Sequence, residues 1–278
     1  MTADTLLKTD LKLEKHPDEP QILIYHTHAS ETYADYGPEH PDATVTGAGA
    51  YLAQLLSERG WNVIHDTTAY DQKEGKLERS RAYTYALEGI QGILQEHPGI
   101  EVILDVHRDG VADSVRLVQK VSGKTAARIM FFQGMSRTPE GEIAYLPNPY
   151  LKENLAFCFQ MQLALNRYPG FTRKIYLKGL RYNLHLRGRS SLIEAGAQTN
   201  TIEEARNAME LLAEAIDAED KEACNAQFAE ILTEQTTLKK QKEEILQSSA
   251  DTDRVCTSMK QAEEAMENTA QTITEWSE

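Results

Sequence analysis

The sequence Ile22-Leu-Ile-Tyr-His-Thr-His-Ala-Ser-Glu31 joins a short apolar run to a cluster of polar side chains. A continuous apolar run of four residues is typical of a strand that is buried on both faces of a sheet. Two later stretches have the same form, Val102-Ile-Leu-Asp-Val-His-Arg-Asp109 and Ser191-Leu-Ile-Glu194. Each of the three apolar runs therefore ends in a histidine or a glutamate.

Helical segments alternate with these runs along the chain. Apolar spacing and helix end signals predict helices over residues 49–59, 76–95, 154–168 and 201–218, and further strands over 61–64 and 128–133. Such alternation predicts an α/β fold in which a parallel or mixed sheet is flanked by helices. Ligand sites in these sheets lie beyond the carboxyl ends of the strands. We therefore expect His28, His107 and Glu194 at one edge of the sheet.

This arrangement of polar residues is typical of a metal-dependent hydrolase. Such a site needs three protein ligands, an open position for water and a separate proton acceptor. His28 and Glu31 supply two ligands from one loop, His107 supplies a third, and Glu194 ends a buried strand as the base. Taken singly, each residue also fits a hydrogen-bonded loop histidine or half of an ion pair. The combination at three strand ends favours the metal site.

The same three blocks, the last extended as Leu192-Ile-Glu-Ala-Gly-Ala-Gln-Thr-Asn-Thr-Ile-Glu-Glu204, resemble the stage II sporulation protein P family. The resemblance spans roughly residues 20 to 218. That family is similar to zinc-dependent N-acetylmuramoyl-L-alanine amidases and, more distantly, to zinc carboxypeptidases. The resemblance implies that His28, Glu31 and His107 bind Zn²⁺ and that Glu194 is the general base.

The resemblance also implies an activity and a location. The expected reaction is hydrolysis of the amide between N-acetylmuramic acid and L-alanine in peptidoglycan, with cleavage of peptide cross-links as an additional activity. A lytic transglycosylase is the implied partner during engulfment in spore formers, and the implied location is extracytoplasmic, where the membrane meets the wall. The alternative is an inactive amidase-like domain that binds partners or assembles through its C-terminal arm.

Four further residues are expected to contact substrate: His26, Arg108, Asn183 and Arg189. His26 is also the second choice as a ligand. Arg108 follows the third ligand and either grips a substrate carboxylate or forms a local ion pair. Asn183 and Arg189 belong to a basic stretch before the Glu194 strand, which either lines the cleft or forms an exposed loop.

The chain is expected to have three parts: a polar leader over residues 1–20, the catalytic domain over 21–218 and a helical arm over 219–278. The arm has no Gly or Pro, and its apolar residues recur at seven-residue spacing, as at Ile231, Leu238 and Ile245. A polar break over residues 247–253 predicts a helical hairpin or coiled coil. We expect the arm to support self-association.

Composition excludes several classes of protein. The formal net charge of −14 over 278 residues argues against nucleic-acid binding, which needs a concentrated basic surface. No apolar run approaches the ~20 residues of a membrane span, and residues 1–20 lack the apolar core of a signal peptide. The cysteines, Cys158, Cys224 and Cys256, form no C-x-x-C pair and predict no cysteine metal site.

Overall fold

A computed structural model describes residues 1–37, 39–218, 233, 237, 240–249, 252–254, 257–261 and 263–264. The chain divides into two compact units, Met1–Cys224 and Asn225–Glu278. Every described residue of the second unit is helical. Ile245 and Met259 are exposed there at 69% and 61%. The other positions of the predicted heptad pattern, Ile231, Leu238, Val255, Ala262 and Met266, lie outside the described residues.

The first unit contains all the named helices and strands. Its helices are α1 (Ala3–Leu7), α2 (Val45–Glu58), α3 (Ala82–Glu96), α4 (Leu151–Leu165) and α5 (Ile202–Asp217). Its strands are β1 (Ile22–Tyr25), β2 (Val63–His65), β3 (Gln72–Lys73), β4 (Lys76–Leu77), β5 (Val102–Asp109), β6 (Val118–Val121), β7 (Lys124–Ala127), β8 (Ile129–Gly134), β9 (Arg137–Thr138), β10 (Gly141–Glu142), β11 (Tyr176–Lys178) and β12 (Ser190–Ala197). Among the described residues, no helix has the length and apolar character needed to cross a bilayer.

Six strands form the main sheet in the order β11-β8-β12-β5-β1-β2. Neighbouring strands are parallel except β12 and β8, which are antiparallel. The predicted α/β fold with a mixed sheet is confirmed. Because β1, β5 and β12 are parallel, their carboxyl ends meet at one border of the sheet, which we call the site edge. At that border Glu194 of β12 lies opposite His107 of β5.

Alternation along the strands divides the core into two layers. Ile22 and Ile24 pack with residues of α2 and α5 on one side of the sheet, which we call the α2 face. Leu23 and Tyr25 pack with Ile103 and residues of α3 on the other side, the α3 face. Asp105 and His107 follow Ile103 at two-residue steps, so they lie on the α3 face as well.

Residues 1–20, predicted as a polar leader, contact the rest of the first unit. The Gln160 side-chain amide of α4 donates to the backbone oxygens of Leu6 at 2.9 Å and Thr9 at 3.0 Å. Lys15 forms an ion pair with Asp217 at the end of α5, at 2.7 Å. The segment is polar, as expected, and it contacts α4 through its backbone and the end of α5 through the Lys15 side chain.

The start of α3 differs from the prediction. The pattern predicts a helix from residue 76, and the structure places the start of α3 at Ala82. The earlier residues form an antiparallel hairpin, with Lys73 opposite Lys76. Glu74 and Gly75 connect its strands with left-handed φ angles of 51° and 73°, as tight hairpin turns require. Because Lys76 and Leu77 form the second strand of this hairpin, the helix cannot begin there.

Candidate metal centre

The three predicted ligands lie together at the site edge. Nδ1 of His107 is 3.4 Å from Oε2 of Glu31. The His28 and His107 rings meet edge to face, with their centroids 5.4 Å apart. Glu194 is beside His107 on the neighbouring strand. The structure therefore brings together all four residues that the sequence pattern singled out.

Two polar atoms of this cluster are buried without a partner. Within the described part of the chain, His28 Nδ1 and Glu194 Oε2 make no hydrogen bond. Buried polar atoms without partners are costly and uncommon in folded proteins, so each calls for an explanation. Two imidazoles and a carboxylate, here those of His28, His107 and Glu31, are a donor set that zinc uses in catalytic sites. The donor types fit zinc, whereas no three or more His, Cys, Asp or Glu side chains of the described residues are placed so that they could hold a metal ion as they stand.

Asp105 is a member of the site that the sequence analysis missed. It is fully buried, and its carboxylate accepts hydrogen bonds from the backbone N–H of Thr27 at 2.9 Å and from its hydroxyl at 2.7 Å. Its Oδ1 is also 2.7 Å from Nε2 of His107, in a direction that does not meet hydrogen-bond geometry. Burial acts to raise the pKa of Asp105, but His107 and Thr27 outweigh it and lower the pKa. The signal was a carboxylate inside an apolar strand, two residues before a histidine and hence on the same face.

Glu31 is fixed by the backbone and faces a cation. The backbone N–H of Arg108 donates to Glu31 Oε2 at 3.1 Å. Arg79, just before α3, places its guanidinium 4.0 Å from Oε1, with 47% of its side chain exposed. Burial acts to raise the pKa of Glu31, and His107 and Arg108 together lower it. Arg79 was also missed, because nothing in the local sequence relates it to a loop almost fifty residues earlier.

Glu194 has an environment different from that of Glu31. Burial, as the main cause, raises its pKa to about 7. His107 opposes this rise, and the carboxylates of Glu31 and Asp109 add to it. A carboxyl group that titrates near neutral pH is well suited to accept and return a proton.

His26 is not part of this cluster. Its side chain is fully buried, with Nδ1 donating to the Val106 backbone oxygen at 2.8 Å and Nε2 lying 2.9 Å from Nε2 of His65. Since Tyr25 lies on the α3 face, the next side chain along the strand lies on the α2 face. The structure therefore does not bring His26 to the site, as a ligand or as a substrate contact.

The two predicted arginine contacts are engaged elsewhere. Arg108 uses Nε to donate to the Thr32 backbone oxygen at 2.8 Å. Arg189 lies just before β12, at the border opposite the site edge, where it pairs with Glu101 at 3.0 Å and donates to the Lys12 backbone oxygen at 3.1 Å. Neither guanidinium is directed at the histidine cluster.

Asn183 contacts the site through a neighbour. Its side-chain amide donates to the backbone oxygen of Tyr83 at 2.8 Å, and the Tyr83 ring packs edge to face on His28 at 5.6 Å. Asn183 and Tyr182 both adopt left-handed φ angles, 58° and 49°, which few residues other than glycine do. The turn therefore braces the aromatic side chain that packs on a predicted ligand.

The fold and this cluster define the class: an α/β protein with a buried histidine–carboxylate centre at the carboxyl ends of a mixed sheet. The model of the stage II sporulation protein P family matches residues 3–217, and the chain belongs to that family. The family resemblance seen in the sequence is thereby confirmed.

The chain is also similar to several solved structures. N-acetylmuramoyl-L-alanine amidase AmiC2 of Nostoc punctiforme is 14% identical, with 73% of this chain and 95% of that chain covered and a TM-score of 0.44. The amidase Ami1 of Mycobacterium abscessus is 14% identical, covering 76% and 99%, with a TM-score of 0.39. A metallo-carboxypeptidase from Burkholderia cenocepacia is 13% identical, covering 75% and 58%, with a TM-score of 0.38. No curated protein matches the chain.

Proposed function

We propose that this chain is a zinc-dependent peptidoglycan hydrolase that cleaves the amide between N-acetylmuramic acid and the L-alanine of the stem peptide. Membership of the stage II sporulation protein P family supports a role in the cell wall during sporulation. The observation that carries the proposal is the convergence of His28, Glu31, His107 and Glu194, two of which, His28 and Glu194, hold buried polar atoms without partners.

His28, Glu31 and His107 would hold the zinc ion. When bound, zinc polarises a carbonyl group and lowers the pKa of water. Two of these side chains are also held in place by contacts with other residues of the chain. The Arg108 backbone N–H holds Glu31, and Asp105 lies against the His107 ring. Both contacts orient the side chains before substrate arrives.

Glu194 acts as the base in this proposal. Its carboxylate lies in a desolvated position, and its pKa is raised to about 7, mainly by burial. The carboxylate accepts a proton from the attacking water and then delivers it to the nitrogen of the departing L-alanine. The two transfers return Glu194 to its starting state.

Arg79 is a cation that a stem peptide can reach at the rim of the cluster. Stem peptides carry carboxylates, and a guanidinium binds a carboxylate through two parallel hydrogen bonds. The Arg79 side chain is about half exposed and lies at the rim of the cluster, whereas the Arg108 guanidinium is bound to the Thr32 backbone oxygen. We assign to Arg79 the carboxylate contact first expected of Arg108.

The proposal includes an extracytoplasmic location at the membrane–wall interface and a lytic transglycosylase as partner. Amidase cleavage frees stem peptides from the glycan, and a transglycosylase then cuts the glycan itself. The two activities act on different bonds of one polymer, so each makes the other's product smaller and more soluble.

Glu194→Gln tests the assignment of the base. The amide keeps the shape of the side chain but cannot accept the proton, so release of stem peptides from purified peptidoglycan should fall on the order of 10²-fold or more. Zinc content, measured by elemental analysis of the purified protein, should stay unchanged. Loss of zinc in this variant would show that Glu194 is a ligand.

Two companion variants define the limits of the test. Glu214→Gln makes the same change at an exposed carboxylate of α5, which pairs with Arg167, and should leave activity unchanged. His107→Ala should abolish zinc binding and activity together. Full zinc content in His107→Ala protein would remove the basis of the proposed centre.

A further inference from the structure

A cavity of about 500 Å³ adjoins the loop that carries His28 and Glu31. Ala29 and Ser30 of that loop form one wall, and Thr46 and Ala50 of α2 form another. His65, at the end of β2, and Thr67 complete it. The volume lies within the ~300–1,000 Å³ range of ligand pockets in proteins.

The lining is neutral and rich in hydroxyl groups. Ser30, Thr44, Thr46 and Thr67 contribute hydroxyl side chains, and small residues leave the space between them open. Of the described residues that line the cavity, none is lysine or arginine, and Asp42 carries the single negative charge. A phosphate or carboxylate ligand would find no counter-charge here. The chemistry suits an uncharged ligand with several hydroxyl or amide groups.

The histidine pair provides a directed hydrogen-bond acceptor. Because a backbone oxygen can only accept, His26 Nδ1 carries the proton in its contact with Val106. The neutral, buried His26 ring then accepts at Nε2, and His65 must donate from its own Nε2, 2.9 Å away. His65 is left with Nδ1 as an acceptor. A cavity residue is thus prepared for a ligand O–H or N–H.

The position of the cavity fits one part of the proposed substrate. Ser30 lines the cavity and is the neighbour of Glu31, whose side chain contacts His107. In peptidoglycan a sugar is directly joined to the amide that is cleaved, and the charged stem peptide extends the other way. The neutral cavity lies beside the α2 segment, whereas the exposed cation, Arg79, precedes α3.

We propose that this cavity binds an N-acetylated pyranose of the glycan strand, while the stem peptide extends towards Arg79. This inference rests on the proposed function, since it assigns the two halves of that substrate to the cavity and to Arg79. It also gives a role to His26, which is fully buried and lies outside the metal cluster. His26 hydrogen-bonds to His65, a residue of the cavity lining.

Ala50→Phe tests the sugar site. Ala50 is an exposed residue of α2 that lines the cavity, so a phenyl ring there fills the space without disturbing the core. The probe is chitotriose, a neutral trimer of N-acetylglucosamine, titrated into the full chain and followed by ¹H–¹⁵N chemical shifts. We expect saturable binding to the unmodified protein and a loss of affinity of about tenfold or more in Ala50→Phe.

Ser57→Phe is the matched control, because Ser57 is exposed on the same helix and lies outside the cavity lining. It should bind chitotriose like the unmodified protein. Thr67→Val, which removes one hydroxyl and keeps the volume, should weaken binding several-fold. Equal affinity in Ala50→Phe and Ser57→Phe proteins, or no binding to the unmodified protein, would overturn the inference.

The same measurement separates this inference from the proposed function. A protein that releases stem peptides but does not bind chitotriose is an amidase without this sugar site. A protein that binds chitotriose at the cavity but releases no stem peptide keeps the sugar site and loses the amidase assignment.

Discussion

Asp105 is the residue on which the geometry of the candidate centre most depends. It lies within a strand whose neighbouring buried side chains are apolar. Its carboxylate accepts hydrogen bonds from the backbone N–H and the hydroxyl of Thr27, in the loop after β1. It also lies against the ring of His107. One buried carboxylate therefore links the loop of the first predicted ligand, His28, to the strand of the third, His107. A carboxylate in contact with a ligating histidine orients the ring and raises its basicity.

Asp105→Asn should weaken zinc binding by about 10–100-fold, the usual effect of losing such a partner. The amide keeps the volume, so the loss would reflect charge and orientation. Zinc affinity is measured by competition with a chelator of known strength.

Asp109→Asn provides the comparison. Asp109 ends the same strand, two residues beyond His107, and its carboxylate pairs with Arg173 at 2.7 Å. Its zinc affinity should match that of the unmodified protein. If both variants bind zinc equally, Asp105 has no part in positioning His107.

The roles of single residues were only partly predictable from the sequence. His28, Glu31, His107 and Glu194 were identifiable because each follows or ends a buried run, and the structure brings them together. The function of these four in zinc binding and catalysis stays a prediction. Contacts made by long side chains were not predictable, since Arg108 and Arg189 bind backbone oxygens that no sequence pattern marks.

Among the elements, α5 has the clearest local signal. Thr201 is its N-cap and accepts from the Glu204 backbone N–H, and the Glu204 carboxylate accepts from the backbone N–H of Thr201. This is a capping box, which satisfies two donors at the helix start. Glu204 also accepts from Asn200 and Arg116, so the cap ties the helix to the loop that follows β12.

Thr201→Ala should destabilise the protein by about 1 kcal/mol, because the side-chain acceptor at the N-cap is lost. Urea denaturation, followed by far-ultraviolet circular dichroism, measures the change. Thr201→Ser retains the hydroxyl and should lie within a few tenths of a kcal/mol of the unmodified protein. A stability of Thr201→Ala equal to that of Thr201→Ser would mean that the cap contributes nothing.

Element prediction succeeded where burial set a pattern. The strands β1, β5 and β12 are buried runs, and α5 begins within a residue of its predicted start. The edge strand β11 escaped notice because its three residues, Tyr176–Lys178, are all exposed and show no alternation. The helix predicted from residue 76 was wrong at its start because Lys76 and Leu77 pair with the preceding strand in a hairpin.

At the scale of the whole molecule, the candidate site lies entirely within the first compact unit, Met1–Cys224. That unit has a core on both faces of its sheet. A domain of about 200 residues exceeds the size at which one core becomes self-sufficient. The boundary at residue 218 and the role of the arm stay predictions.

A chain ending at Ala218 should therefore fold, bind zinc and release stem peptides. Thermal denaturation, zinc analysis and the peptidoglycan assay test these three properties, and sedimentation shows whether the full chain alone self-associates. An insoluble product would show that the later residues are needed for the first unit. A folded, zinc-loaded but inactive product beside an active full chain would instead favour an arm required for substrate delivery or assembly.

The topology of the central sheet also determines when the site comes into being. Thr27 and Asp105, which bond to each other, are 78 residues apart, and Gln198 bonds to Val111 across 87 residues. Contacts so distant in sequence close large loops, and folds that depend on them form slowly. The complete cluster therefore forms only when β12, which carries Glu194, has paired with β5, and every partly folded state without that pairing lacks it.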